Sequence, residues 1–144
     1  MMLTTGMMTS NHDDWETPQE FFDNLNDEFH FTLDVCATHT THKCPAYFTP
    51  EFDGLSKKWT GICWMNPPYG REISKWIQKA YKSAQEGASV VCLIPARTDT
   101  DWWQDYVLKA TEIRFIRGRL YFKRGEISGR APFPSAVVIF RGDH

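Results

Sequence analysis

The unbroken apolar run from Val90 to Pro95 constrains the fold of this 144-residue chain more than any other stretch. Strands with one wet face alternate apolar and polar residues, whereas a run without alternation fits a central parallel strand covered on both faces. The flanking sequence agrees. Ile73, Trp76, Ile77, Ala80, Tyr81 and Ala84 recur at helical spacing ahead of it, and Gly87 stops that helix. Trp102, Trp103, Tyr106, Val107 and Ala110 mark another helix behind it. Further upstream, Thr17-Pro18-Gln19-Glu20 reads as a capping box with proline at the first helical position, opening a helix over residues 18–29. Strands are expected over residues 31–36, 61–65, 112–116, 119–122 and 135–140. The last two flank a basic, glycine-containing loop at 123–134. Residues 37–58 read as irregular, with a short extended piece around Ala46-Tyr47-Phe48. Strand–helix alternation closed by a terminal strand pair predicts an α/β protein with an open, mostly parallel sheet and an antiparallel C-terminal edge. In such sheets ligands bind at the carboxyl ends of the strands. Asp34, Asn66 and Arg97 fall there.

With 42% apolar and 15% aromatic residues, the chain can build one real core but not two. A single domain over residues 13–144 is expected, with residues 1–12 as a flexible lead. The net charge of −2 argues against a blanket polyanion binder, but its distribution is uneven. Residues 1–60, 61–112 and 113–144 carry nets of −7, 0 and +5. A basic terminal segment on an otherwise acidic domain fits a local phosphate-contacting face, or else a solvated surface. No long apolar run suggests a membrane span, and the methionine-rich start lacks the basic and apolar regions of a secretory signal. Cys36, Cys44, Cys63 and Cys92 include no C-x-x-C pair, as suits a reducing cytoplasm. Cys36, His39, His42 and Cys44 are closely spaced, but their gaps are tighter than usual zinc-knuckle spacings, and no metal is expected.

The chemistry concentrates in Asn66-Pro67-Pro68-Tyr69, which follows the short apolar strand Ile62-Cys63-Trp64-Met65. Two prolines fix φ and remove two N–H donors, so neighbouring carbonyls are held without competing donors. The asparagine offers an acceptor oxygen and the tyrosine a flat face. An amino group conjugated to an aromatic ring is a poor nucleophile because its lone pair is delocalised. Acceptors on both of its N–H bonds favour a pyramidal nitrogen and free the pair for attack. A proline-punctuated strand end without chemistry would look similar.

The tetrapeptide is similar to the catalytic motif of S-adenosylmethionine-dependent amino methyltransferases. The chain as a whole resembles the small phage-type, Dam-like DNA adenine-N6 methyltransferases. The matching segments are Trp15-x-Thr17-Pro18, Leu33-Asp34-Val35-Cys36-Ala37, Tyr47-Phe48-Thr49, Asp53-Gly54-Leu55 and Trp64-x-Asn66-Pro67-Pro68-Tyr69-Gly70. Pro95-Ala96-Arg97-Thr98-Asp99-Thr100, Gly118-Arg119-Leu120-x-Phe122 and Pro132-Phe133-Pro134-Ser135 match as well. The resemblance implies a Rossmann-like class I methyltransferase fold, reduced in size. It implies S-adenosyl-L-methionine as cofactor and double-stranded DNA with a flipped adenine as partner. Modification of phage or prophage DNA in the cytoplasm of a bacterial host is the purpose it suggests.

The resemblance makes Asn66, Pro67, Pro68 and Tyr69 catalytic, with the adenine stacked on Tyr69 and its amine held by Asn66 Oδ1 and the Pro67 carbonyl. Trp15, Thr17, Pro18, Asp34, Cys36, Ala37, Asp53 and Asn66 are the candidate cofactor contacts. Several have plain structural alternatives: Asp34 as a strand-terminating residue, Trp15 as a hydrophobic staple, Asp53 as a turn residue. Unlike the wider superfamily, the turn after the first strand contains no glycine, with Ala37 as the small residue in its place. Arg97, Arg119, Lys123, Arg124 and Arg130 are candidate DNA contacts or surface charges. Trp102 and Trp103 are candidates for base stacking or for the core. Cytosine N4, a protein glutamine amide, or a catalytically silent DNA-binding role are the alternative readings.

Overall fold

A computed structural model describes residues 15–124 and 127–142, excluding the side chains at 123–124 and 127–128. The expected lead at 1–12 lies outside the described residues. Five strands form one sheet in the order β1-β2-β3-β7-β4, namely Leu33–Asp34, Ile62–Met65, Ser89–Pro95, Ser135–Phe140 and Glu112–Phe115. β1, β2 and β3 are parallel, while β7 runs antiparallel to both β3 and β4. The C-terminal strand is therefore inserted into the sheet rather than placed on its edge. The edge position falls to β4. The reason lies in burial: every residue of β7 is buried, as is every residue of β3, whereas β4 is half-buried and ends on the exposed Phe115. The most apolar strands pair in the centre, and the Arg- and Glu-containing strand takes the rim.

Helix α1 (Gln19–Phe29) buries Phe22, Leu25 and Phe29, and Phe22 meets Trp64 of β2 edge-to-face at 5.3 Å. It ends because Asn26 takes over two amides beyond it. The His30 N–H donates to the Asn26 carbonyl with His30 in the left-handed region, and the Phe31 N–H donates to Asn26 Oδ1. Its start differs from the expected capping box. Pro18, not Thr17, is the N-cap, and its ring has no group to make a cap bond, while the Thr17 hydroxyl bonds Asn66. Helix α2 (Ile73–Gln85) packs against β3 and β7, and Gly87, at φ 112°, turns the chain into β3. The third expected helix breaks in two, α3 (Asp101–Asp105) and a 3-10 turn (Val107–Lys109). Thr100 caps α3, and both Trp102 and Trp103 are buried, so neither is a stacking surface.

The expected loop at 123–134 is partly strand. β5 (Tyr121–Arg124) and β6 (Ile127–Arg130) form a separate antiparallel hairpin. The segment at 37–58 is held to β1 by a parallel bridge between Asp34 and Tyr47, with N–H bonds from Phe48 to the Asp34 carbonyl and from Ala37 to the Phe48 carbonyl.

Gly54 lies so close to the end of β1 that a Cβ there would meet the Val35 carbonyl oxygen at 2.5 Å. Its own carbonyl accepts the buried Trp59 Nε1–H at 2.8 Å. Gly54→Ala is expected to lower stability by about 1–3 kcal/mol through forced backbone movement. A urea-unfolding midpoint unchanged by the substitution would show that the turn gives way freely.

Candidate active site

The parallel register carries three strand ends to one edge of the sheet. Asp34 closes β1 opposite Trp64, Met65 closes β2 opposite Cys92, and Pro95 closes β3. Asn66 is therefore the first residue out of β2, and Arg97 stands two residues out of β3, as the sequence predicts.

Asn66 is half-buried, and its amide is held on every side. Its Nδ2 donates to the Trp15 carbonyl at 2.5 Å and to Thr17 Oγ1 at 2.9 Å. Its Oδ1 accepts the Tyr69 hydroxyl at 2.5 Å, and that hydroxyl also reaches the Leu93 carbonyl of β3 at 2.8 Å. An amide side chain has two donor hydrogens and an oxygen with two lone pairs. Both hydrogens and one lone pair are thus used within the protein, and the orientation of the amide is defined. Pro67 behind it is buried.

Tyr69 departs from the exposed platform that the motif implies. The residue is only 6% exposed and its hydroxyl points inward. The ring makes edge contacts with Phe133 at 5.5 Å and Phe122 at 6.2 Å, and Trp15 contacts the same two phenylalanines at 5.6 Å each. A phenol can be buried in such a setting when its O–H has a partner, and here Asn66 and Leu93 provide two. Burial holds the phenol's pKa well above its ordinary value, so it stays a donor. Phe122 and Phe133 belong to this site, although no role could be read for them in the sequence. The signal available was that both lie in segments that match the phage-type pattern.

Asp34 is 2% exposed and serves as an internal anchor. Its Oδ1 accepts the Cys36 N–H at 3.2 Å and its Oδ2 the Lys43 N–H at 2.9 Å, folding residues 36–43 around the strand end. Burial raises its pKa to about 6, although these two N–H bonds pull the other way. Cys36 is half-buried and Ala37 buried, and the bridge to Tyr47 and Phe48 holds this glycine-free turn in place. Asp53 is exposed at φ 55°, in the turn that Gly54 presses against Val35. Pro18 is half-buried at the start of α1.

The Cys/His cluster has other occupations. His39 Nδ1 bonds the Tyr47 hydroxyl at 2.9 Å, while His42 stacks on the Tyr47 ring at 4.0 Å and bonds the Cys44 carbonyl. Burial pushes the Cys44 thiol up to about 12, which disfavours the thiolate that a metal needs. Among the described residues, no three of His, Cys, Asp or Glu gather as metal ligands.

Of the basic candidates, Arg97 is exposed with its guanidinium 5.9 Å from the Phe133 ring, beside the aromatic wall. Arg119 is exposed between β4 and the hairpin, and Arg130 is exposed at the end of β6 opposite Tyr121, itself 64% exposed. The Lys123 and Arg124 side chains lie outside those described.

A strand-end asparagine amide beside two prolines thus stands at the carboxyl edge of a small α/β sheet. Comparison with known proteins shows the class of protein. Residues 4–141 match the family model described as DNA N-6-adenine-methyltransferase (Dam). The chain is 31% identical over 147 residues to the DNA N-6-adenine-methyltransferase of Haemophilus phage HP1 (strain HP1c1), covering 97% of this chain and 85% of that one. It is 30% identical over 110 residues to the enzyme of the same name from Escherichia phage T1, covering 74% of this chain and 45% of that one. The chain belongs to the DNA N-6-adenine-methyltransferase (Dam) family and is an enzyme of that class.

Two predictions follow from these contacts. Tyr69→Phe removes the hydroxyl from a buried carbonyl and from Asn66, and is expected to destabilise the protein by about 1–2 kcal/mol in equilibrium unfolding. An unaltered midpoint would mean that the two bonds contribute nothing net. For Asp34, the folded pKa of about 6 lies above the ordinary 3.8, so the folded chain binds more protons between those values. Stability from this group therefore falls as pH rises from about 4 to about 6 and stays low above. The native chain should lose up to about 3 kcal/mol relative to Asp34→Asn between pH 4 and pH 7. A difference that does not vary with pH would refute the raised pKa.

Proposed function

We propose that residues 13–144 act as one domain that transfers the methyl group of S-adenosylmethionine to N6 of an adenine flipped out of duplex DNA. The observation that carries this reading is the Asn66 amide, locked by Trp15, Thr17 and Tyr69 with one Oδ1 lone pair remaining for a substrate amine. The fold reads as a reduced Rossmann-like class I methyltransferase. The strand order with a reversed β7 beside β3 supports this, and so does the convergence of Asp34, Asn66 and Arg97 at the carboxyl ends.

The donor set suits the cofactor. A buried carboxylate at Asp34 is a natural partner for an ammonium or a ribose hydroxyl, through the lone pairs that Cys36 and Lys43 do not use. Asp53, exposed beside the end of β1, suits an adenine amino group. The start of α1 at Thr17 and Pro18, with Trp15, suits the methionine end, since a helix N-terminus attracts a carboxylate. Cys36 and small Ala37 line the turn between them. S-adenosylmethionine, when bound there, supplies a methyl group on a sulfonium sulfur.

Asn66 Oδ1 and the Pro67 carbonyl accept the two N6–H bonds and turn the nitrogen lone pair outward. Pro67 and Pro68 contribute rigidity and the absence of N–H groups. With the cofactor bound, this nitrogen would take the methyl group as the carbon–sulfur bond breaks and the sulfur leaves as a neutral thioether, and its extra proton would pass to water. The chain thus acts by positioning and electrostatics rather than by a titrating base. Stacking of the base on Tyr69 requires the ring to leave the Phe122 and Phe133 wall, breaking its bonds to Asn66 and Leu93.

An adenine within a duplex is out of reach, so it must flip. Arg97, Arg119 and Arg130, with Lys123 and Arg124 as further candidates from the sequence, contact the flanking phosphates or base edges. The location of the exposed Arg97, Arg119 and Arg130 around the strand ends and the hairpin supports this. Among the described residues no helix is long and apolar enough to cross a membrane. The proposed action on phage DNA inside a bacterial host would take place in the cytoplasm.

Labelled methyl from S-adenosylmethionine should enter unmodified DNA as N6-methyladenine; recovery of N4-methylcytosine alone, or of label in protein and none in DNA, rejects the reading. Asn66→Ala should lose turnover by roughly 100- to 1,000-fold with cofactor affinity nearly intact.

A further inference from the structure

Thr17 stands one residue ahead of Pro18, the N-cap of α1, whose ring offers no acceptor, so α1 has no side-chain cap. The Thr17 hydroxyl accepts Asn66 Nδ2–H at 2.9 Å across 49 positions of sequence, and Thr17 is 3% exposed. A buried hydroxyl bonded to an amide 49 positions away is not explained by helix formation, since Thr17 is not the N-cap.

We propose that Thr17 is a positioning residue for methyl transfer, whose hydroxyl fixes the plane of the Asn66 amide that receives the substrate amine. The proposal rests on the reading of Asn66 as that acceptor. The terminal torsion of asparagine is broad and roughly two-fold, so rotamer preference alone leaves both the flip and the tilt of the amide loosely defined. The flip is settled by the Trp15 carbonyl, which only accepts and so requires the nitrogen on its side. The Tyr69 hydroxyl, the other neighbour, shares its single proton between Asn66 Oδ1 and the Leu93 carbonyl. Neither neighbour holds the second Nδ2 hydrogen. Thr17 does, and a second anchor on the same nitrogen converts one bond, about which the amide can tilt, into a fixed plane. Placement of the acceptor within about 0.5 Å and 10–20° is what such a site needs.

The test compares Thr17→Val, which keeps the shape and removes the hydroxyl, with Thr17→Ser, which restores it. Turnover on unmethylated DNA is measured at saturating S-adenosylmethionine, and S-adenosylhomocysteine affinity by calorimetry. Thr17→Val is expected to lower kcat at saturating S-adenosylmethionine roughly ten-fold with KM for DNA within about three-fold, a loss beyond any change in S-adenosylhomocysteine affinity, and Thr17→Ser to recover most of it. Thr17→Val combined with Asn66→Ala should be no slower than Asn66→Ala alone, because the residue acts through the amide. A native kcat in Thr17→Val overturns the proposal. So does a full additive loss in the double variant, or a defect confined to S-adenosylhomocysteine binding. If Thr17→Val does not fold, Thr17→Ala against Thr17→Ser gives the same comparison. The underlying reading fails differently: Asn66→Ala with native turnover removes it, whereas a slow Asn66→Ala beside a normal Thr17→Val removes only the role of Thr17.

Discussion

A half-buried amide at the exit of β2 is the junction on which the site depends. Asn66 joins the segment before α1, through Trp15 and Thr17, to the turn after β2, through Tyr69, and Tyr69 continues the chain of bonds to β3 at Leu93. Burying polar groups without partners is costly, and satisfying them all specifies one geometry. The two prolines help by removing donors that would compete for the same acceptors. The same arrangement has a consequence for Tyr69. A ring that holds the amide in place is not at the same moment a surface open to a base, so movement of Tyr69 and release of the second Asn66 lone pair are linked.

The other polar centre, Asp34, works by a different balance. Its carboxylate is removed from water and receives two backbone N–H bonds, yet desolvation still dominates and the pKa rises to about 6. At neutral pH it is a buried anion that any arriving cation stabilises. Lys43, whose Nζ reaches Gln19 and Glu16, brings a positive charge to its loop. The loop at 36–43 is therefore organised around a charge that structure alone leaves incompletely compensated. In a turn without glycine, this anchoring does what backbone permissiveness does elsewhere.

Legibility in the sequence followed periodicity. The runs at 90–95 and 135–140 and the helix from Ile73 were readable because burial on both faces, or on one helical stripe, leaves its mark in consecutive residues. The placement of β7 between β3 and β4 was not, since strand order is set by pairing between distant segments and no local pattern records it. Thr17 illustrates a second limit. Its position before Pro18 gives a sound capping signal, but the helix starts one residue later, with Pro18 as N-cap, and the Thr17 hydroxyl bonds the distant Asn66, a contact that no local pattern records. Strand Ile127–Arg130 was missed because serine, glycine and arginine carry little strand signal without the partner that pairs with them.

That hairpin shows how a short chain gives one element two tasks. Alternation along β5 sends Phe122 inward, 1% exposed, to wall the site with Phe133, Trp15 and Tyr69. Its neighbour Tyr121 faces outward, paired across the hairpin with exposed Arg130. A shift of one residue in register would exchange these faces, placing Tyr121 in the wall and opening the site. The hairpin stands apart from the main sheet, so its position is set by the aromatic contacts of Phe122 rather than by ladder hydrogen bonds to a central strand. Moving Tyr69 out of that aromatic cluster would therefore also remove one of the contacts that seat the hairpin.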